Sequence, residues 1–439
     1  MIAAAKPLAA GLLAAMWVLE VLALAGLERE LVKSLSLAVL LIYGVIGFVV
    51  ARIGVRVLAA TALVAAGALA WQFDIGGSLI NGARSATLFV AFLATMQMLK
   101  VSIELGAGLE QVRRAQEALG AREQHDAMLF RSWLLGSIFA AGTLAVVAPL
   151  VGPDRPADQR RDMGQSALQG VGLALLWSPF FVAMAVCTRL TTGITLGAAV
   201  ANGLALAMLG LVISHLAFGG RLQSRWMRPL GKVFVASAAM ALAVVAANRA
   251  FGLSNSQAIV AGVPLVALFL ARRAVRAGPR SAGVRWLGSL EAIAGEALLI
   301  SASLVLGEVI KDLTAQGVVS LPAALLAWPE PALIVWPALV MVALSVAGFH
   351  PIIGASLLFP LQSSLAVLHP VVAGGSVLVG WMLAVQLSTF AVPVMFAASL
   401  FRVRPPDLVR GAMWRFAMLF TPAAWLHLWL LNHLLRAAR

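Results

Sequence analysis

Residues 164–182 read GQSALQGVGLALLWSPFFV, and residues 374–392 read GGSVLVGWMLAVQLSTFAV. Laid together without a gap at an offset of 210, they agree at Gly164/Gly374, Ser166/Ser376, Leu168/Leu378, Gly170/Gly380, Leu173/Leu383, Ala174/Ala384, Ser178/Ser388, Phe180/Phe390 and Val182/Val392, nine of nineteen positions. A chain this rich in Ala, Leu, Val and Gly would match itself at roughly two such positions by chance, so the stretch reads as an internal duplication rather than as two unrelated apolar helices. Each copy is apolar enough to cross a bilayer, yet each carries hydroxyls or proline at mid-depth: Ser178-Pro179 in the first, Ser388-Thr389 followed by Pro393 in the second. Proline removes a backbone N–H and clashes with the preceding turn, so a spanning helix kinks or breaks there. One such kink is commonplace in membrane helices. Breaks at matching positions of two halves are instead the best sequence pointer to a transporter's binding site, because freed carbonyls and half-helix ends can hold ions or anionic groups where they face protein or a water-filled cavity.

Composition sets the class. Of 439 residues, 62% are hydrophobic and 11% charged, with mean hydropathy +0.96. Repeated apolar runs of about twenty residues then mean an all-α polytopic membrane protein in contact with the lipid bilayer. The net charge of +14 does not point to nucleic acid, because the basic residues sit in short loops between apolar runs, where they set orientation. A single cysteine, Cys187, excludes an intrachain disulfide and any multi-cysteine metal site. The first 26 residues have the outline of a signal peptide, but Glu20 and the spans that follow favour a retained first helix.

Taken in order, helices are expected at about 8–26, 34–51, 57–72 and 86–108, then an amphipathic interfacial helix over 109–125. Arg52, Arg56, Arg113, Arg114, Arg122 and Arg131 fall on one side, which the charge rule makes cytoplasmic together with the N-terminus. The run 132–152 has Arg131 before it and Arg155, Arg160 and Arg161 after it. Both its ends read as inside, so it is expected to be a re-entrant hairpin turning near Gly136, Gly142 and Thr143, against the alternative of a plain span. The first duplicated stretch (165–187) then runs outward, and helix 194–217 returns to Arg221, Arg225, Arg228 and Lys232.

The second half repeats the plan. Helices at 233–248, 255–271 and 287–310 are followed by an outer segment, 311–331, and a second hairpin over 332–366 that contains AGFHPIIG at 347–354. Ser303–Gly307 echoes Ser102–Gly106, and Ala347-Gly348 is matched with Ala141-Gly142. The second copy (371–400) runs inward, because Arg402, Arg404, Arg410 and Arg415 follow it, and a last helix (413–433) leaves the C-terminus outside. The expected plan is an extra N-terminal helix (1–33), a first repeat (34–220) and a second repeat (221–439). It contains about eleven spans and two re-entrant hairpins in inverted topology.

This arrangement resembles the ion transporter superfamily, which includes the divalent anion/sodium symporters and relatives among arsenite and sodium/proton carriers. The likeness rests on one extra N-terminal helix, two inverted halves, a hairpin before each broken helix and the interfacial helix before the first hairpin. In that family, hairpin tips and helix breaks together build the site. The resemblance therefore implies a substrate and ion site at Gly142, Thr143, Ser178, Pro179, Gly348, Phe349, His350, Pro351, Ser388, Thr389 and Pro393. It also implies a homodimer in which a transport domain moves against a fixed scaffold. The symporters' Ser-Asn-Thr signature is missing from both tips, so the resemblance specifies neither sodium coupling nor a dicarboxylate substrate.

Three further residues stand out. His350 titrates near physiological pH and is a candidate proton carrier, with a packing role for the hairpin turn as the alternative. Glu296, the deepest acid of the helix that also holds Glu291 and Glu308, is a second candidate proton carrier. Gln386 can donate to and accept from a polar substrate or a neighbouring helix. Trp17, Trp71, Trp226, Trp414 and Trp429 fit an interfacial belt. No zinc-type His/Glu spacing and no Gly-rich phosphate loop occurs, so neither metal hydrolysis nor ATP-driven pumping is indicated. The expected function is secondary active transport of a small anionic solute across the inner or plasma membrane by alternating access, as symporter or antiporter coupled to Na+ or H+ and without a cofactor. The alternatives are a channel or structural membrane subunit, and a membrane-embedded polysaccharide or lipid-linked sugar transferase.

Overall fold

The computed structural model describes residues 2–27, 29–104, 121–151, 155–218, 241–273 and 278–437. The expected interfacial helix (109–125) lies mostly outside them, as do Trp226, the basic loop around Arg221–Lys232 and the start of helix 233–248. Among the described residues the secondary structure is helical. Seven stretches are long and apolar enough to cross a membrane, the last running through the break at Ser388. Two other expected crossings fall on shorter apolar helices, Ala241–Phe251 and Asn255–Leu268, and the expected second hairpin falls on Glu330–Val346 and Pro351–Ser363.

The chain forms two compact units, each assembled from both halves of the sequence: unit 1 is Met1–Ala107 with Ala246–Val319, and unit 2 is Gly108–Val245 with Ser320–Arg439. Unit 1 contains α1 (Ile2–Leu24), α2 (Arg29–Val50), α3 (Ile53–Gln72), α4 (Gly76–Glu104), α11 (Asn255–Arg273) and α12 (Gly278–Ala315); α10 (Ala241–Phe251) crosses the boundary. Its centre is the pair α4 and α12, which pass so closely at Gly82 that an added Cβ would stand 2.7 Å from Val305 Cα. The Glu20 carboxylate accepts from Ser36 Oγ at 3.0 Å and Thr87 Oγ1 at 2.6 Å, which satisfies a buried acid on three helices. Trp17 is half-buried in unit 1. Its indole donates to Thr95 Oγ1 and meets Trp286 edge-on inside the unit, whereas Trp71 is 90% exposed and fits the belt.

Unit 2 contains α5 (Ala121–Phe139), α6 (Thr143–Val147), α7 (Ala157–Leu175), α8 (Val182–Leu190), α9 (Leu196–Phe218) and α13 (Ala323–Leu326). It continues with α14 (Glu330–Val346), α15 (Pro351–Ser363), α16 (Pro370–Leu387), α17 (Val392–Phe401), α18 (Pro405–Val409) and α19 (Ala412–Ala437). α14 and α15 form an antiparallel helical hairpin. Gly354 packs on Met341 and Leu344. Farther from the turn, Gln362 accepts from Trp336 Nε1 at 3.1 Å and donates to the Leu333 carbonyl at 2.6 Å.

The duplicated glycines do the same work in each copy. Gly170 lets α7 touch the α5 backbone, where a Cβ would lie 2.3 Å from Leu129 O; Gly380 lets α16 touch α14, where a Cβ would lie 2.8 Å from Ala338 Cα. A Cβ added at Gly164 of the first copy would stand 3.3 Å from Phe401 of the second, and one added at Gly374 would stand 3.5 Å from Thr191 of the first. Positions 191 and 401 are themselves 210 apart, so each copy seats its glycine on the same place of the other.

The hairpin turns correct the expected register. The first helix of the first hairpin ends at a positive-φ residue, Ala140 (φ 50°), and that of the second ends near Gly348 (φ 93°). These are 208 apart, so Ala140 corresponds to Gly348 and the pairing of Ala141-Gly142 with Ala347-Gly348 is two residues off. Gly142 has ordinary right-handed geometry, and Gly136 sits inside α5 against Val171 and Ala174. The glycines invited the wrong placement because the turn in the first copy uses an alanine, whose left-handed conformation costs about 1–2 kcal/mol and leaves no composition signal.

Candidate functional site

Two breaks face two hairpin turns in unit 2 with identical wiring. At the first, the Ser178 hydroxyl donates to the Ser137 carbonyl and accepts from Phe180 N at 3.2 Å. At the second, Ser388 Oγ donates to the Ser345 carbonyl at 2.6 Å and accepts from Phe390 N at 3.2 Å. Ser137 and Ser345 lie in the last turns of α5 and α14, and the Ser345 carbonyl also accepts from Gly348 N at 3.0 Å. Each hydroxyl therefore ties a hairpin tip to a broken helix and pairs one N–H at the break. The helices resume at Val182 and Val392, again 210 apart, after extended residues Phe181 (φ −85°, ψ 139°) and Ala391 (φ −63°, ψ 133°). The half-helices α8 and α17 thus each begin with unpaired N–H groups and the positive end of a dipole.

The two breaks differ in access. Ser178, Pro179 and Phe180 are buried, while Thr389 is half-buried and Phe390, Val392 and Met395 are more than half exposed. Pro393 occupies the second position of α17, where its missing N–H is harmless. Thr143 starts α6 with its hydroxyl fully buried and without a hydrogen-bond partner. At the second tip, Gly348 makes the turn, Pro351 starts α15, and His350 caps that helix, its Nδ1 accepting from Ile352 N at 3.2 Å. That bond requires Nδ1 to carry a lone pair. His350→Asn, which preserves a cap acceptor, is expected to keep the thermal stability of the protein, whereas His350→Ala should lose about 1 kcal/mol; equal melting of the two variants in a detergent thermal scan would contradict the capping role.

Gln386 reaches from the end of α16 to α7. Its Nε2 donates to Gln169 O at 3.4 Å, its Oε1 has no hydrogen-bond partner, and the space it fills is held open by Gly172, whose Cβ would come within 1.9 Å of it. Glu296 is not part of this assembly. It lies on α12 in unit 1, so unit 2 brings together the other expected residues without it.

Sequence reasoning passed over a buried polar seam on α7. Ser166 Oγ is 2.6 Å from His125 Nδ1, Gln169 Oε1 accepts from Ser214 Oγ at 2.9 Å, and the neighbouring His215 Nδ1 lies 2.9 Å from Asp126 Oδ2. Gln165 donates to the carbonyls of Asp407, Leu408 and Arg410, fixing α18 beside α7. The available signal was Gln165, Ser166 and Gln169 on one face of an otherwise apolar duplicated helix. A half-open cavity of about 540 Å³ adjoins the seam, lined by His125, Gln165, Arg161, Asp162, Arg410 and Arg415 among others. Asp407, also on its wall, is held below the usual carboxylate range by the hydrogen bond from Arg404.

No family model matches the chain, and no curated protein sequence matches it. Among solved structures, the chain is similar to the Alcanivorax borkumensis YdaH transporter, described as having an unusual topology. The TM-score is 0.50 at 13% sequence identity, over 82% of this chain and 88% of that one. The chain is an all-helical, multi-pass membrane protein with that transporter's fold. At this identity the likeness carries the architecture and leaves residue roles to the geometry above.

Proposed function

We propose that this protein is a secondary active transporter that moves a small anionic solute across the inner or plasma membrane by alternating access, driven by a coupled ion. The carrying observation is the duplicated break. Ser178 and Ser388 make the same two hydrogen bonds at equivalent places of two copies, and each break starts a half-helix whose N-terminal N–H groups favour negative charge. The solute would lie among the tips and breaks of unit 2, near Thr143, His350, Gln386 and Thr389. The unequal exposure of the breaks suits one end of an access cycle. The charge rule places the N-terminus in the cytoplasm and the C-terminus outside, and a homodimer is the assembly that the superfamily resemblance implies.

Counterflow in proteoliposomes tests the reading. Vesicles loaded with one anion of an organic-anion and oxyanion panel are diluted into a trace of the same anion carrying a radiolabel. Transient accumulation above equilibrium for at least one anion supports a carrier. Absence of counterflow across the panel contradicts the anion reading, and labelled flux that equilibrates without overshoot identifies a channel.

A further inference from the structure

Asp126 is fully buried, with Oδ2 2.9 Å from His215 Nδ1 of α9 and Oδ1 without a hydrogen-bond partner among the described residues. A buried ion pair that serves packing satisfies its remaining lone pairs, because an ionised carboxylate out of water is otherwise costly. This one leaves an oxygen open. His215 is partly exposed, its side chain retaining 22% of its surface. The pair also connects to the candidate site: Ser214 bonds Gln169, and Gln169 O accepts from Gln386, two residues before Ser388.

We infer that Asp126, with His215, is the binding site of the coupling ion and that the ion is a proton. The inference rests on the transport reading above. In the loading step hydronium gives its proton to the Asp126 carboxylate and leaves water, the open Oδ1 supplying the lone pair; release on the other side is the reverse transfer to water. Loading removes the carboxylate charge that His215 faces and so alters the α5–α9 contact beside the Gln169–Gln386 link. The charged and titratable groups about the pair belong to every neighbouring element. His125, Glu123 and Arg131 lie on α5 itself, Arg155 bonds Gln124, and Asp158, Arg160, Arg161 and Asp162 lie on α7. Asp407, Arg410 and Arg415 line the adjoining cavity, and His427 on α19 is 3.1 Å from Asn202 of α9. His125, next to Asp126 in the chain, and Asp162 both line that cavity.

The test needs no solute. Purified protein in proteoliposomes is adsorbed on a solid-supported membrane and stepped from about pH 8 to about pH 6, which spans imidazole titration. Wild type is expected to give a transient charge displacement that Asp126→Asn and His215→Gln each reduce about tenfold while remaining monodisperse and thermally stable. An undiminished transient in both variants overturns the inference. Should the single variants aggregate, the exchanged pair Asp126→His/His215→Asp carries the test: a retained transient supports it, and a monodisperse protein without one overturns it. Wild type that shows anion counterflow but no transient overturns proton coupling and leaves transport standing. A transient lost in the variants without counterflow supports the proton site and sinks the anion-carrier reading.

Discussion

Replacing Gly170 by alanine is expected to destabilise unit 2 by about 3 kcal/mol, seen as a drop of roughly 5–10 °C in a thermal scan at fixed rate in detergent. The new Cβ would stand 2.3 Å from the Leu129 carbonyl oxygen and 2.8 Å from the Trp133 amide nitrogen, and backbone atoms of a packed helix cannot move aside as a side-chain tip can. The equivalent change, Gly380→Ala, meets Ala338 Cα at 2.8 Å and should cost about 2 kcal/mol. Gly67→Ala, with nothing within 4 Å, should be neutral or stabilising, since alanine suits a helix better than glycine. Melting of Gly170→Ala at or above the wild-type temperature would contradict the close approach on which the duplicated packing rests.

The largest effect on function is expected from Ser178→Ala and Ser388→Ala. Either change cuts the tie between a hairpin tip and a break and strands an N–H at the break, with a penalty of about 1–3 kcal/mol. Counterflow should fall about tenfold or more in each, since 1.4 kcal/mol corresponds to a factor of ten. Membrane insertion and expression should persist because neither residue faces the lipid. Thr389→Ala, whose side chain is half-buried at the second break, should also depress transport. Wild-type rates in all three variants would remove the breaks from the site.

Much of this was legible in the sequence because duplication preserves local chemistry. The offset of 210 located both serines, both half-helix starts and the paired glycines, and the proline and glycine around His350 marked the second tip. The first tip escaped because Ala140 adopts a left-handed turn without glycine, while Gly136 and Gly142 serve helix packing and ordinary helical backbone. The Asp126–His215 contact joins residues 89 apart on helices that do not correspond under the repeat, so no periodicity announces it. Glu296 falls in unit 1, and position along a long apolar helix does not say which unit a residue joins. Nor could order along the chain show that each half divides between two compact units, since that depends on which helix faces find partners.

The central claim is that the two copies cross the membrane in opposite senses, and labelling of single cysteines tests it most directly. In a Cys187→Ser background, cysteines at Gln159, just inside α7, and at Ser364, shortly before α16, both fall on exposed positions. The account predicts that position 159 reacts with an impermeant maleimide only from the cytoplasmic side and position 364 only from the outer side. Labelling of both positions from one side would mean that the copies run parallel, and the paired breaks could then not form an inverted repeat.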